Sequence, residues 1–521
     1  MTSEKNPRFG LIALSLLFVV AGLLFARRLG IETDEAMLAN GIYDHGAPLY
    51  SWNIGGFEIP VMLITYLGAL KTWLYNPYFA VWAPGAISLR LPAILAGAGT
   101  LWLFFFFVDR VAGRLAAWIG VCLLVTDSVF LLIEATDFGF VAIQFVLKLA
   151  AILLLLRFHR GGSPRALAGG FSLLGLAMWD KSVFAWVLFG LIVAVAAVFP
   201  REVWKHISRR NAKIAAAAML VGALPLVVYN IAHPLITLRA NAKAASIPVL
   251  AKADLLARTL NGSVLFGFMS ADNPGPNPVT PRRALQTLSE RLAGWRGGWH
   301  RNLLLPALAF ALLIALPARR ARKPVLFGLI LCAATWLAMA FTADAGAAQH
   351  TILLWPFPLF IAAVALAQLP RRVAIALAAV LCLANVAVTN QYYAELVRNG
   401  PGIRFTDAVN PLKEYLRTSK APRIFSTDWG FIETLCLLTE GELPVFNADV
   451  GDPDMLHRIV SDPQHLFVSH TPGFTFMPRI RSRLDDWARK DGYEEEPVTT
   501  IADRNGRPTF EVFRFRKRSS N

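Results

Sequence analysis

The stretch RRLGIETDEAMLANGIYDHGAPLY, residues 27–50, decides the class of the protein by what stands before it and what it contains. Before it runs an apolar segment, 10–27, about the length a helix needs to cross the hydrocarbon of a bilayer. Within it, the adjacent carboxylates Asp34 and Glu35 stand where that first helix leaves the lipid. A membrane protein has little use for charge at that depth unless the charge is paired or faces water.

Composition agrees with the local reading. Of the 521 residues, 55% are hydrophobic and 17% charged, and the mean hydropathy is +0.49. A soluble globule of this composition would lack a core large enough to hide its apolar surface. The formal net charge of +16 lies in short Lys and Arg clusters between apolar runs, without the basic, aromatic-interleaved stripe of a nucleic-acid binder, so no nucleic-acid partner is expected. Cys122, Cys332 and Cys382 sit inside apolar runs and Cys436 stands alone in the polar tail, and no disulfide is expected.

Working outward, the apolar runs predict a polytopic α-helical membrane protein of about eleven spans, near 10–27, 86–108, 115–134, 138–157, 166–180, 183–199, 214–232, 302–317, 324–342, 350–368 and 373–390. The first run lacks a small-residue cleavage site and reads as a retained signal anchor. With the N-terminus in the cytoplasm, every short inner loop is basic: Arg110 and Arg114, Arg157 to Arg165, Arg201 to Lys213, Arg319 to Lys323, and Arg371 with Arg372. Residues 1–390 then form a membrane domain, and 391–521 an exoplasmic domain. In that tail APRIFSTD, ELPVFNAD, QHLFVSH and TFEVFRFR read as strands, and AVNPLKEYLRT and RIRSRLDDWARKDGY as helices, which predicts a small α/β domain.

In this topology Asp34 and Glu35 fall on the outer face, and other ionisable residues converge on the same depth. Asp137, with Glu134, lies at the outer turn of the third and fourth spans, and Asp180 and Lys181 at that of the fifth and sixth. Arg90 opens the second span and His350 the tenth. The segment IPVMLITYLGALKTWLY, 59–75, reads as an amphipathic helix lying in the interface and carrying Lys71 to the same level. Each has a bland alternative: Arg90 and Lys181 snorkelling to headgroups, Asp180 pairing with Lys181, His350 capping a helix. Their shared depth favours a site.

The succession TDEA, YLGALKTWLY, SLRLPAILAGAGTLWLFFFFVDRVAGRLAAWIG, ATDFGF, GLAMWDKS and QHTILLWPFP resembles the membrane glycosyltransferases of the GT-C fold, in the branch of the protein O-mannosyltransferases and the aminoarabinose transferase of lipid A. The resemblance covers roughly residues 10 to 370. It departs from the pattern at Lys181-Ser182, where lysine-glycine is usual. It implies a sugar taken from a polyprenyl-phosphate carrier on the outer side of the membrane and passed to the hydroxyl of a lipid, glycan or protein, with inversion. Phosphate is already a competent leaving group, so such an enzyme needs a base for the acceptor proton and cations for the departing phosphate. The resemblance therefore implies Asp34 as general base, Glu35 and Asp137 as supporting carboxylates, and Lys71, Arg90, His350 and Lys181 as phosphate-binding groups.

No cofactor is required by the residues, and a divalent cation stays open: the carboxylates and His350 suit one chemically but come from separate loops, without recognisable metal spacing. The expected location is a bacterial inner membrane, with membrane lipids around the spans. A transporter or flippase for a lipid-linked sugar is the rival, for which repeats, broken helices and midplane charges are expected.

Overall fold

A computed structural model describes residues 7–43, 48–241, 243, 247–343, 345–449 and 451–518. The chain is a multi-pass helical membrane protein carrying a small α/β unit near its C-terminus. Among the described residues, six helices are long and apolar enough to cross a membrane, and nine spans result if each bent helix pair counts once. Pro164–Asp180 and Leu304–Ala315, of 17 and 12 residues, occupy the two remaining expected places but are shorter.

The bends have sequence causes. The expected span 115–134 breaks into Arg114–Thr126 and Ser128–Thr136, inclined by 60°. Asp127 between them takes an extended conformation, and its Oδ1 accepts the Phe130 N–H at 2.8 Å, capping the second helix. Where Pro164–Asp180 crosses Arg209–Gly222, a methyl on Gly175 would overlap the Met219 carbonyl and one on Gly222 the Ser172 carbonyl. Such small residues let helix backbones approach closely where lipid gives no hydrophobic drive to association.

Residues 50–68 differ from the expected in-plane helix. They form a three-stranded antiparallel sheet, β1 (Tyr50–Ile54), β2 (Phe57–Ile64) and β3 (Leu67–Gly68), and helix starts only at Leu70. Gly55 and Gly56, at φ of 60° and 86°, make the tight turn between β1 and β2, and β-branched Ile59, Val61 and Ile64 favour strand. Helix Leu70–Phe79 still carries Lys71 inward. The 233–301 loop, expected to be partly irregular, holds the helices Ile236–Asn241, Val249–Leu260 and Ala284–Arg296.

After the long helix Arg371–Arg398 come β4 (Ile424–Ser426), β5 (Val445–Asn447), β6 (Leu466–His470), β7 (Tyr493–Ala502) and β8 (Pro508–Lys517), in the order β5-β4-β6-β8-β7. β4 pairs in parallel with β5 and β6, while β8 runs antiparallel to β6 and β7. Four of these are the strands read from the sequence. β7 was not foreseen, because YEEEPVTTIA opens with three consecutive glutamates, which put charge on both faces, and holds a proline.

The α/β unit sits directly on the end of the first span. The Gly30 N–H donates to the Phe405 carbonyl at 2.8 Å, and Thr434 Oγ1 to the Ile31 carbonyl at 3.3 Å. A Cβ on Gly30 would overlap the Thr406 carbonyl. Gly30→Ala is therefore expected to lower stability by about 1–3 kcal/mol, the usual cost of overpacking. A denaturant midpoint in detergent equal to wild type would show that this contact yields freely.

Candidate active site

The expected site residues separate into two layers. Behind lies a buried ionic frame. Arg90 and Glu35, each 0% exposed, form a two-pronged pair, with Nη2 to Oε1 at 2.5 Å and Nε to Oε2 at 2.9 Å. The other Arg90 N–H groups donate to the carbonyls of Ala26 at 2.7 Å, Leu29 at 2.9 Å and Gly30 at 2.6 Å. All five guanidinium donors are thereby occupied. Arg90, expected at the carrier phosphate, instead satisfies the last carbonyls of the first span and fixes the turn that follows.

Lys71 belongs to the same frame. It pairs with Asp137 Oδ2 at 2.9 Å, lies 4.2 Å from the centroid of the Phe140 ring, and donates to the Glu35 carbonyl at 3.4 Å. The other Asp137 oxygen accepts the N–H groups of Val141 and Ala142, both at 2.9 Å, at the start of helix Ala142–Gly161. Asp137 and Phe140 both have positive φ, 47° and 55°, a conformation that a bulky residue keeps only where its surroundings hold it. Asp180 accepts from Gln144 Nε2 at 2.5 Å and does not pair with Lys181.

In front lies a cavity of about 290 Å³ that Asp34, Lys181 and His350 line together with Tyr66, Trp186 and Gln349. Asp34 is half-buried, and its carboxylate has no ion-pair partner among the described residues. Lys181 Nζ donates to the Gly139 carbonyl, and the Ser182 N–H donates to Tyr66 O at 2.8 Å, docking the turn against β3. His350 packs edge-on to Trp186 at 5.6 Å. Its Nδ1, like Gln349 Oε1, is buried without a hydrogen-bond partner among the described residues.

Asp34 is set by neighbours the sequence reading missed. Glu32, 1% exposed, accepts the Asp34 N–H at 2.6 Å, while its own N–H donates to Glu35 Oε1 at 2.7 Å, a reciprocal cap on the short helix Thr33–Ala36. Arg404 reaches Glu32 Oε1 at 3.4 Å and lies over the Trp429 and Phe476 rings, 4.6 Å and 5.3 Å from their centroids. Burial raises the Asp34 pKa above the ordinary carboxylate value, and the charges of Lys181 and Arg404 oppose the rise.

Two crystal structures of ArnT from Cupriavidus metallidurans are similar in fold to this chain from end to end. The one bound to undecaprenyl phosphate is 12% identical, with a TM-score of 0.58 over 98% of each chain. The apo one is 15% identical, with a TM-score of 0.61 over 97% of this chain and 98% of that one. The chain has the GT-C fold. No protein-family model matches it, and neither does any curated protein.

Sequence reasoning named Asp34, Lys181 and His350, which line the cavity, and also the four members of the ionic frame, but it had expected Lys71 and Arg90 at the phosphate and not in buried ion pairs. It missed Glu32, although Glu-Thr-Asp-Glu reads as a cap, and Arg404, for which no local signal exists. The segment TDWGF, residues 427–431, supplies Trp429, the platform for Arg404. Among the described residues, no group of three or more His, Cys, Asp or Glu gathers in a way that would hold a metal ion.

Proposed function

We propose that the chain is a glycosyltransferase that moves a sugar from a polyprenyl-phosphate carrier to the hydroxyl of a lipid, glycan or protein on the outer face of a bacterial inner membrane. The carrying observation is the meeting of the half-buried Asp34 carboxylate, without an ion-pair partner among the described residues, with Lys181 and His350 in one cavity. Asp34 takes the acceptor proton as the acceptor oxygen attacks the anomeric carbon. The bond from that carbon to the phosphate oxygen breaks with its electron pair on the phosphate, which Lys181 and an N–H-donating His350 stabilise. In-line attack inverts the anomeric centre. Glu35, Asp137, Lys71 and Arg90 hold the base and the loops in place and do not touch the phosphate. The α/β unit shares the outer side with the cavity, and the boundary between the domains lies near 390.

A base works best with a pKa close to the working pH, and burial moves Asp34 that way. Activity is then lost as pH falls through the Asp34 pKa, because the protonated acid accepts nothing. Arg404 lowers that pKa, so Arg404→Gln is expected to move the acid limb of kcat/KM to higher pH. An unmoved limb would separate Arg404 from the base.

The reading is tested with radiolabelled polyprenyl-phosphate sugars in membranes containing the chain, counting lipid, glycan and protein fractions separately. Label entering one fraction supports transfer and identifies the acceptor class. A second reading, a transporter for a lipid-linked sugar, draws on the three bent helix pairs and on Asp127, Glu134 and Lys148 buried within the helical core. Label that crosses the membrane and enters no acceptor would favour it.

A further inference from the structure

A cleft of about 630 Å³, distinct from the Asp34 cavity, is lined by Arg27, Arg28, Arg282, Arg283 and Arg504 and by no carboxylate. Three distant parts of the chain supply these side chains: the end of the first span, the entry to helix Ala284–Arg296, and the turn between β7 and β8. Among the described residues, Arg27, Arg28, Arg282 and Arg283 have no ion-pair partner. Arg28 lies 5.1 Å from the centroid of the Tyr393 ring and donates to its hydroxyl at 3.5 Å. Arg504 is aimed by Asp407 at 3.3 Å and by the Leu396 carbonyl at 2.9 Å. Burial holds Arg504 below its ordinary pKa; Asp407 opposes this, and Arg28 adds to it. Gln286, on the cleft wall, accepts the N–H groups of Arg282 and Arg283 at 3.2 Å and 3.3 Å, so the positive end of a 13-residue helix also faces this region.

Like charges gathered without acids repel one another, and an anion would reverse the sign of that interaction. In the orientation proposed above, the cleft lies on the outer side, where the topological excess of Arg and Lys does not explain it. Leu24, Arg27 and Arg28 place its floor where the first span emerges, at the depth of lipid headgroups. Guanidinium groups suit phosphate through paired N–H donors.

We propose that this cleft binds the phosphate of an anionic phospholipid headgroup. The site rests on the outer-side orientation proposed above, but not on sugar transfer.

The test uses the purified full chain, with thermal unfolding and native mass spectrometry against phosphatidylglycerol, phosphatidylcholine and inorganic phosphate. Phosphatidylglycerol is expected to raise Tm and to remain bound, and phosphatidylcholine to do neither. The triple variant Arg28→Gln/Arg282→Gln/Arg283→Gln is expected to weaken phosphatidylglycerol binding by about tenfold or more. The charge-matched triple Arg319→Gln/Arg320→Gln/Arg322→Gln is expected to bind as wild type does. Should the first triple fail to fold, exposed Arg282→Glu alone is read, with a several-fold loss expected. Wild-type affinity in the cleft variant, or equal losses in both triples, overturns the site. Equal protection by inorganic phosphate overturns the lipid as its occupant.

Discussion

Asn in place of Asp34 is expected to lower sugar transfer by about 10²–10⁴-fold, the span that a positioned general base contributes. The change is nearly isosteric, and the polar contact that fixes residue 34 is its backbone N–H on Glu32, which asparagine retains. No ion pair of Asp34 is lost among the described residues, so the variant is expected to unfold at the wild-type midpoint. The loss belongs in kcat and not in donor affinity, because proton removal is needed only as the acceptor attacks. Single-turnover transfer at matched expression measures this. Full activity in a folded Asp34→Asn protein would remove Asp34 as the base while leaving the fold untouched.

Arg90→Ala is expected to produce the largest loss of stability, about 3–5 kcal/mol, since it strands the Glu35 carboxylate where nothing else neutralises it. It also frees three carbonyls at the end of the first span, those of Ala26, Leu29 and Gly30. The paired variant Arg90→Met/Glu35→Leu is expected to be less damaged than Arg90→Ala, because no lone charge remains. Unfolding midpoints of the variants in detergent decide the matter. Had Arg90 held the carrier phosphate, Arg90→Ala would keep a wild-type midpoint and raise the donor KM, and that outcome would refute the frame described here.

What was legible in the sequence was whatever a local pattern carries. Apolar runs gave the helices because a span must satisfy its own backbone within the bilayer. Asp34, Lys181 and His350 stood out because charge at the end of a span is costly. Depth could not say which charges face a cavity and which neutralise one another. Lys71 and Arg90 share that depth with Lys181, yet each finds a buried carboxylate through contacts that link distant segments. The β1–β2 turn was legible in Gly55-Gly56 and was overlooked because the apolar content of 59–75 suited a helix equally well. The break at Asp127 was likewise written in Thr-Asp-Ser, a capping sequence inside an apolar run. Arg404 carried no such mark, since its meaning depends on Glu32, 372 positions earlier.

The cage of Trp429 and Phe476 around Arg404 bears on how such a chain can be recombined. Asp428 Oδ1 accepts the Trp429 N–H at 2.9 Å and the Met477 N–H at 2.6 Å, so the aromatic walls are tied to one carboxylate inside the α/β unit. The guanidinium they hold ends on Glu32, in the loop that presents Asp34. A chimera that grafts a different C-terminal unit onto these helices would sever that line unless residue 32 travelled with the graft. Modular exchange at this seam therefore has a fixed minimum parcel: the cage, the arginine and the acidic loop, inherited together or not at all.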